Sequence, residues 1–515
     1  MNGAEALLKT IAAAGIDTCF ANGGTTEMAM ILAFDSIPEI KPMLGLFEGV
    51  CSGAADGYGR LREKPALCLL HLGPGLANGV ANLHNARRAR TPLLNVIGEH
   101  ASWHAEANAP LAMDIECLCR TFSGWQRTVR SVETIARDTA DAVEAALRGQ
   151  IASLIVPSDR QWQEYRGDIP AVNRPAPDPP DRRVIESAAK MLKEAGKAAL
   201  IMNGRALRRR GLEAAGRVKA AVGCDLFCIN FPAYVDRGAG TVPVARVPYF
   251  PEPAAAMLAP YRAVVLAGTD EPVNFFGYEG QWSNPVARDV PKLRIDTDSQ
   301  DAAETLEALA DELGAPGRNS LGAIVAGLKV PDIPAGRLTP EKACLTLAAL
   351  QPEGAIIMDE GLTASMTYFP LGATLAPHSY FMLTGGAIGQ GMPSATGASA
   401  ACPDRPVINL QADGSAMYTV QSLWTQAQAG LNVTTLICSN RSYNIINVEL
   451  QRAGITNPGP KARAFTDLGN PPIDWPSLSR GLGVPGVAVD TAEDLARELK
   501  KALGEPGPHL IEMVL

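Results

Sequence analysis

Two polar side chains, each at the end of an apolar run, limit what the C-terminal third of this chain can fold into. Residues 406–410 (PVINL) lead to Asp413-Gly414-Ser415, and residues 433–438 (VTTLIC) lead to Ser439-Asn440-Arg441-Ser442-Tyr443. Between them, residues 419–429 place Val420, Leu423, Trp424 and Ala427 at helical spacing, and Gly430 stands where a helix C-terminus favours glycine. The second run is β-branched and apolar, the pattern of a buried strand. Strand, helix and strand in this order predict parallel pairing with a right-handed crossover, and ligands held beyond the carboxyl ends of the strands. Asp413 and Asn440 both fall there. A carboxylate and a carboxamide oxygen suit Mg²⁺, which takes oxygen ligands and shares itself with phosphates. A backbone carbonyl near Ser442 would add a third ligand. Gly414 allows a close approach, and the amide and hydroxyl of Ser415 would meet a phosphate oxygen near the helix start.

A second group of residues lies near the N-terminus. In residues 44–60 (LGLFEGVCSGAADGYGR), Glu48 sits between Phe47 and Gly49, and the small Gly49, Ser52, Gly53 and Ala54 would let a helix pack closely. Such surroundings predict a dry carboxyl, placed to share a proton with a ring nitrogen. Residues 66–70 form an apolar strand that runs through His71 into a Gly73-Pro74-Gly75 turn and then a helix.

Asp413-Gly414 paired with Asn440, together with Glu48 and the segment ending Ala55-Asp56-Gly57-Tyr58, resembles the thiamine diphosphate-dependent enzymes of the acetolactate synthase and benzoylformate decarboxylase superfamily. The chain departs from the family signature at Ala412, where the family has Gly, and at Ser439, where it has Asn; neither change removes a ligand side chain. The resemblance implies that Asp413, Asn440 and the Ser442 carbonyl bind Mg²⁺, and that Gly414, Ser415 and Tyr443 lie against the coenzyme. It implies that Glu48 protonates the aminopyrimidine ring, whose imino form then activates the thiazolium. Residues 385–393 (GGAIGQGMP) resemble the region that bends the coenzyme, which assigns Ile388 as the wedge with Gly386 beside it. His71 resembles a substrate-facing histidine of the benzoylformate decarboxylase branch. Thr25, in Asn22-Gly23-Gly24-Thr25, takes the place of that branch's serine. No histidine occurs in residues 274–278 (NFFGY), where a second one would align.

The fold implied is α/β, with three doubly wound parallel-sheet domains: a pyrimidine-binding domain over 1–169, a central Rossmann-like domain over 184–329 and a diphosphate-binding domain over 337–515. The proline-rich stretch 170–183 and the segment 330–336 are the linkers. The family architecture also implies a homodimer or homotetramer, with each active site shared between two chains. Some relatives hold FAD in the central domain; no Gly-x-Gly-x-x-Gly follows a strand here, so FAD is not favoured.

The net charge of −8 argues against nucleic acid or an anionic membrane as the main partner. No apolar run approaches a membrane span. The N-terminus reads as an amphipathic helix and not as a signal peptide. Ten scattered cysteines without zinc-type spacing suit reduced thiols in the cytoplasm. The activity expected is a decarboxylase or carboligase of the acetolactate synthase type, acting on a small 2-oxo acid or aldehyde. A benzoylformate decarboxylase-type enzyme, a hydroxyketone lyase and a non-catalytic paralogue stay open. Residues 456–472, rich in proline and glycine, suit a mobile lid.

Overall fold

The computed structural model describes residues 1–515. Strands β1 (Thr18–Asn22), β2 (Lys41–Leu44), β3 (Leu67–His71), β4 (Leu93–Glu99), β5 (Trp125–Thr128) and β6 (Ile151–Pro157) form a parallel sheet in the order β2-β1-β3-β4-β6-β5. A second parallel sheet follows, built from β7 (Ala198–Met202), β8 (Asp225–Cys228), β10 (Ala245–Arg246), β11 (Ala263–Ala267) and β12 (Lys292–Arg294) in the order β10-β8-β7-β11-β12. Between β8 and β10 the chain leaves this sheet. Strand β9 (Val235–Arg237) pairs antiparallel with β14 (His378–Met382) at the edge of the third sheet. The rest of that sheet is parallel: β13 (Ile356–Glu360), β15 (Val407–Ala412), β16 (Val433–Ser439), β17 (Gly486–Val489) and β18 (His509–Val514), giving β17-β18-β16-β15-β13-β14-β9. Helices flank all three sheets, so the fold is the expected α/β arrangement with one antiparallel edge. Strands covered on both faces read as unbroken apolar runs, which is why 407–410 and 433–438 show no alternation.

Two details differ from the sequence expectation. The helix predicted over 419–429 begins at Ser422, and Asp413–Ala416 is a separate short helical turn at the end of β15. Gly430, in the left-handed conformation, ends the longer helix. Gly73-Pro74-Gly75 is not a turn ahead of a helix but lies in the first turn of the helix Leu72–Ala89. A proline fits there because the first-turn N–H groups have no partner inside the helix.

The first and third sheets meet through the helices Glu48–Arg62 and Gly391–Ala401, whose seam of small residues includes Gly53, Gly57 and Gly397. A buried polar cluster closes the same junction. Asp56 accepts from Arg60 Nε at 2.9 Å and from the amide of Gln390, while Arg60 donates to the Met382 carbonyl and to Thr384 Oγ1, each at 2.8 Å. No helix is long and apolar enough to cross a membrane. None of the ten cysteines is paired.

Candidate active site

Parallel pairing of β15 with β16, in the register Ala412 opposite Cys438, brings Asp413 and Asn440 side by side at the carboxyl ends. Asp413 is 3% exposed. Its Oδ1 accepts from its neighbour Gly414 N at 2.8 Å, and its Oδ2 from Arg441 N at 2.7 Å. Burial pushes this carboxyl above the usual carboxylate range, and the two backbone N–H groups oppose that shift. The Asn440 side-chain oxygen accepts from Ser442 N at 2.9 Å. Ser442 bridges antiparallel to Asp467, but the bonds flanking that bridge run from Tyr443 N to Thr466 O and from Leu468 N to Arg441 O. The Ser442 carbonyl is thus left without a hydrogen-bond donor. One carboxylate, one carboxamide oxygen and one free carbonyl make an all-oxygen donor set that fits a hard divalent cation. The Tyr443 ring lies against Gly414, where an added Cβ would come within 2.4 Å of Tyr443 Cε1. Ser415 is buried in the short turn that follows.

Ile388 sits in a segment gripped from two sides. Glu360, fully buried at the end of β13, accepts from Gly389 N at 2.7 Å and Gly391 N at 2.5 Å, with Gln411 Nε2 at 3.0 Å. Burial pushes the Glu360 carboxyl up, and these donors oppose it. From the N-terminal region, Asn85 Oδ1 accepts from Gly385 N at 3.1 Å and Ala387 N at 3.3 Å, and its Nδ2 donates to Ala387 O at 2.8 Å. Gly386 has a φ of +81°, and a Cβ there would come within 2.3 Å of Phe275 Cζ. Only glycine lets that aromatic ring pack on the turn.

Glu48 is the first residue of its helix and accepts from Asn78 Nδ2 at 3.0 Å. It is half-buried in the single chain, so it is less enclosed than its small neighbours predicted. The cause is that its surroundings end in open apolar surface, with Leu44 and Leu46 exposed. Asn82 Nδ2 donates to the Gly49 carbonyl at 2.8 Å and reaches that of Gly389 at 3.3 Å, tying the start of the Glu48 helix to the segment after Ile388. No hydrogen bond joins Glu48 to Asp413 or Asn440 within the chain.

His71, at the end of β3, places Nδ1 2.8 Å from Glu27 Oε2 and 3.1 Å from Thr26 Oγ1. Glu27 is fully buried and also accepts from Gly24 N at 2.7 Å. Thr25 is exposed beside this cluster and makes no side-chain hydrogen bond. The residues that meet the histidine are therefore Thr26 and Glu27, which sequence reasoning passed over. Asp359-Glu360 closing the apolar run 356–358 ahead of Gly361 was the signal that Glu360 stands at a strand end.

A three-sheet α/β fold with Asp413 and Asn440 at neighbouring strand ends, a clamped segment around Ile388 and Glu48 at a helix start is of the diphosphate-coenzyme enzyme class. The family models confirm the class: residues 1–116 match "Thiamine pyrophosphate enzyme, N-terminal TPP binding domain" and residues 364–513 match the C-terminal TPP binding domain. The chain belongs to the thiamine pyrophosphate enzyme family. It is 44% identical over 517 residues to the Mycobacterium tuberculosis protein named "Putative acetolactate synthase large subunit IlvX", covering 100% of this chain and 99% of that protein. It is 26% identical over 536 residues to benzoylformate decarboxylase of Pseudomonas aeruginosa, covering 97% and 96% of the two chains. Among solved structures, thiamine diphosphate-dependent 4-hydroxybenzoylformate decarboxylase of Rhodococcus jostii RHA1 superposes with a TM-score of 0.87 at 22% identity, covering 100% of this chain and 99% of that one.

Proposed function

We propose that the chain is a thiamine diphosphate- and Mg²⁺-dependent decarboxylase or carboligase of 2-oxo acids, of the acetolactate synthase type. The observation that carries this is the oxygen-only donor set of Asp413, Asn440 and the Ser442 carbonyl at the ends of β15 and β16, in a chain with both thiamine pyrophosphate binding domains. A bound coenzyme would supply the nucleophilic carbon and the electron sink that decarboxylation of a 2-oxo acid requires.

The chain's own residues supply the rest. Asp413, Asn440 and the Ser442 carbonyl would hold the metal, and Ser415 would present its backbone N–H at the helical turn, with Gly414 leaving room for close approach. Ile388, fixed from both sides by Glu360 and Asn85, would serve as the wedge against the coenzyme. Glu48 holds the proton exchanged with the aminopyrimidine nitrogen. His71, oriented through Nδ1 by Glu27 and Thr26, keeps Nε2 free of any partner in the chain and handles the substrate proton. Thr25 faces the same side. The partly open position of Glu48 supports a site completed by a second copy of the chain. Ten unpaired thiols support a reducing, cytoplasmic setting.

The test is a panel of 2-oxo acids given with thiamine diphosphate and Mg²⁺, with carbon dioxide, aldehyde and hydroxyketone measured together. Coenzyme-dependent release of carbon dioxide is expected. Full coenzyme binding with no turnover of any oxo acid would instead point to the non-catalytic paralogue.

A further inference from the structure

A large apolar cavity of about 1630 Å³ opens from Ile388 and Gly386 toward the second sheet. Pockets that enclose a drug-sized ligand measure roughly 300–1,000 Å³, so this cavity, which takes in the Ile388 face a coenzyme would meet, exceeds what a single ligand of that size fills. Aromatic rings build one wall. Phe275 packs edge-on to Phe231 at 5.4 Å and to Phe276 at 5.3 Å between ring centroids, and Tyr249 lies 5.3 Å from Phe275.

The charges on this wall are uneven. Lys219 is paired with Asp225 at 3.1 Å, and Glu449 accepts from Tyr278 at 2.9 Å and lies 3.4 Å from Arg452. Arg246, at the end of β10, has no carboxylate within ion-pair distance. Its guanidinium sits 4.7 Å from the centroid of Phe369 and makes only long contacts through Nη1, to Tyr380 Oη at 3.4 Å and Met382 Sδ at 3.5 Å. Nε and Nη2 have no partner. Behind it Arg237, 4% exposed, lies 3.5 Å from the same ring, and its Nε and Nη1 are buried without any hydrogen bond. A buried guanidinium such as Arg237 without a counter-charge is costly unless an anion joins it, and half-buried Arg246 beside it leaves Nε and Nη2 unpaired at the cavity wall. Buried Asp359 meets Arg246 only through the Tyr380 hydroxyl, from which its Oδ2 accepts at 2.8 Å, and burial pushes its carboxyl up.

Tyr380 and Met382 belong to β14, whose carboxyl end leads directly into the Ile388 segment, so Arg246 reaches the same end of the third sheet as the reaction centre. The geometry points to Arg246 as the residue that binds a second, distal carboxylate on a 2-oxo acid with a bulky aromatic body; this rests on the reading of the chain as a 2-oxo acid enzyme. The carboxylate that leaves as carbon dioxide is a poor match for Arg246. A two-pronged guanidinium contact stabilises the anion that must be lost, whereas a distal acid keeps the contact throughout.

The test compares 4-carboxybenzoylformate with benzoylformate on the enzyme loaded with thiamine diphosphate and Mg²⁺. A kcat/KM ratio of about 100 in favour of the diacid is expected for the wild type. It should fall to near or below unity in Arg246→Met and be partly kept in Arg246→Lys. Calorimetry with the unreactive acids terephthalate and benzoate separates this inference from the proposed function. If no oxo acid is turned over but the wild type binds terephthalate more tightly than benzoate and Arg246→Met does not, the cavity assignment stands and the reaction assignment falls. If the wild type binds the two acids equally, or the preference survives in Arg246→Met, the inference is overturned whatever the turnover. The wild-type comparison needs no variant and so holds even if Arg246→Met fails to fold.

Discussion

The Asp413–Asn440 end of the third sheet and the Glu48 end of the first sheet are enclosed to different degrees. Asp413 is buried, anchored by two backbone N–H groups and set beside Asn440 by strand pairing alone. Glu48 is only half-buried, holds a single hydrogen bond from Asn78 and borders exposed Leu44 and Leu46, with Met28, Ile31 and Leu32 exposed on the helix Met28–Ala33. Asn22, at the end of β1 ahead of that helix, donates to the Gly45 carbonyl at 2.9 Å, which ties the start of this segment to the stretch leading to Glu48. Exposed apolar side chains of this kind suit an interaction surface. The Asp413 end is enclosed within the chain, and the Glu48 end is open on the side where the proposed second copy would sit.

Asp413→Ala should give the largest effect on this contrast, because it removes the only carboxylate in the donor set. Coenzyme affinity in the presence of Mg²⁺ should drop by more than about 1,000-fold, roughly 4 kcal/mol, in a calorimetric titration. Glu48→Gln should keep coenzyme binding and slow turnover by about 1,000-fold, the size of a lost acid–base group. Mixing these two inactive variants breaks or sharpens the comparison. If each site takes its glutamate from one chain and its aspartate from the other, half the re-formed dimers carry one intact site, and about a quarter of wild-type activity returns. No recovery after subunit exchange would put both carboxylates to work in a single chain. His71→Ala should lower kcat by about 100-fold. Glu27→Gln should change the pH profile of turnover, since Glu27 acts through the imidazole. An unchanged profile would reduce Glu27 to a structural role.

The smallest expected change concerns stability and lies far from the chemistry. His378, at the start of β14, is pushed down to about 4 by burial, against an ordinary value of 6.5. The unfolded chain therefore binds more protons between these values. Stability is fully present above pH 6.5 and falls as the pH drops toward 4, by at most about 3 kcal/mol. Denaturant titrations across that window should show the loss, and His378→Phe should flatten it.

How much was legible in the sequence follows from how local each signal is. The strand-end positions of Asp413 and Asn440 were readable because each follows a mostly apolar, β-branched run of the kind a strand buried on both faces leaves. Gly430 was readable because helix C-termini select a left-handed residue. The grip on Ile388 was not readable, because Asn85 reaches Gly385 and Ala387 across some three hundred residues of chain. The partners of His71 were missed for a different reason. Family resemblance pointed to Thr25, but the turn of Thr25–Glu27 directs the next two side chains inward. Arg246 carries no local signal, since a lone arginine among prolines and valines looks like any surface residue until the apolar cavity closes around it.

Strand β9 leaves the second sheet to complete the third and then returns through β10, so the two layers are sewn together on either side of Arg246. A hinge between them would have to tear the pairing of Val235–Arg237 with β14. Any movement of the middle layer is thereby coupled to β14, and the helix Asn444–Arg452, which borders the cavity, is pinned to that same layer through Tyr278 Oη on Glu449 at 2.9 Å and Glu252 on Arg452 at 2.9 Å.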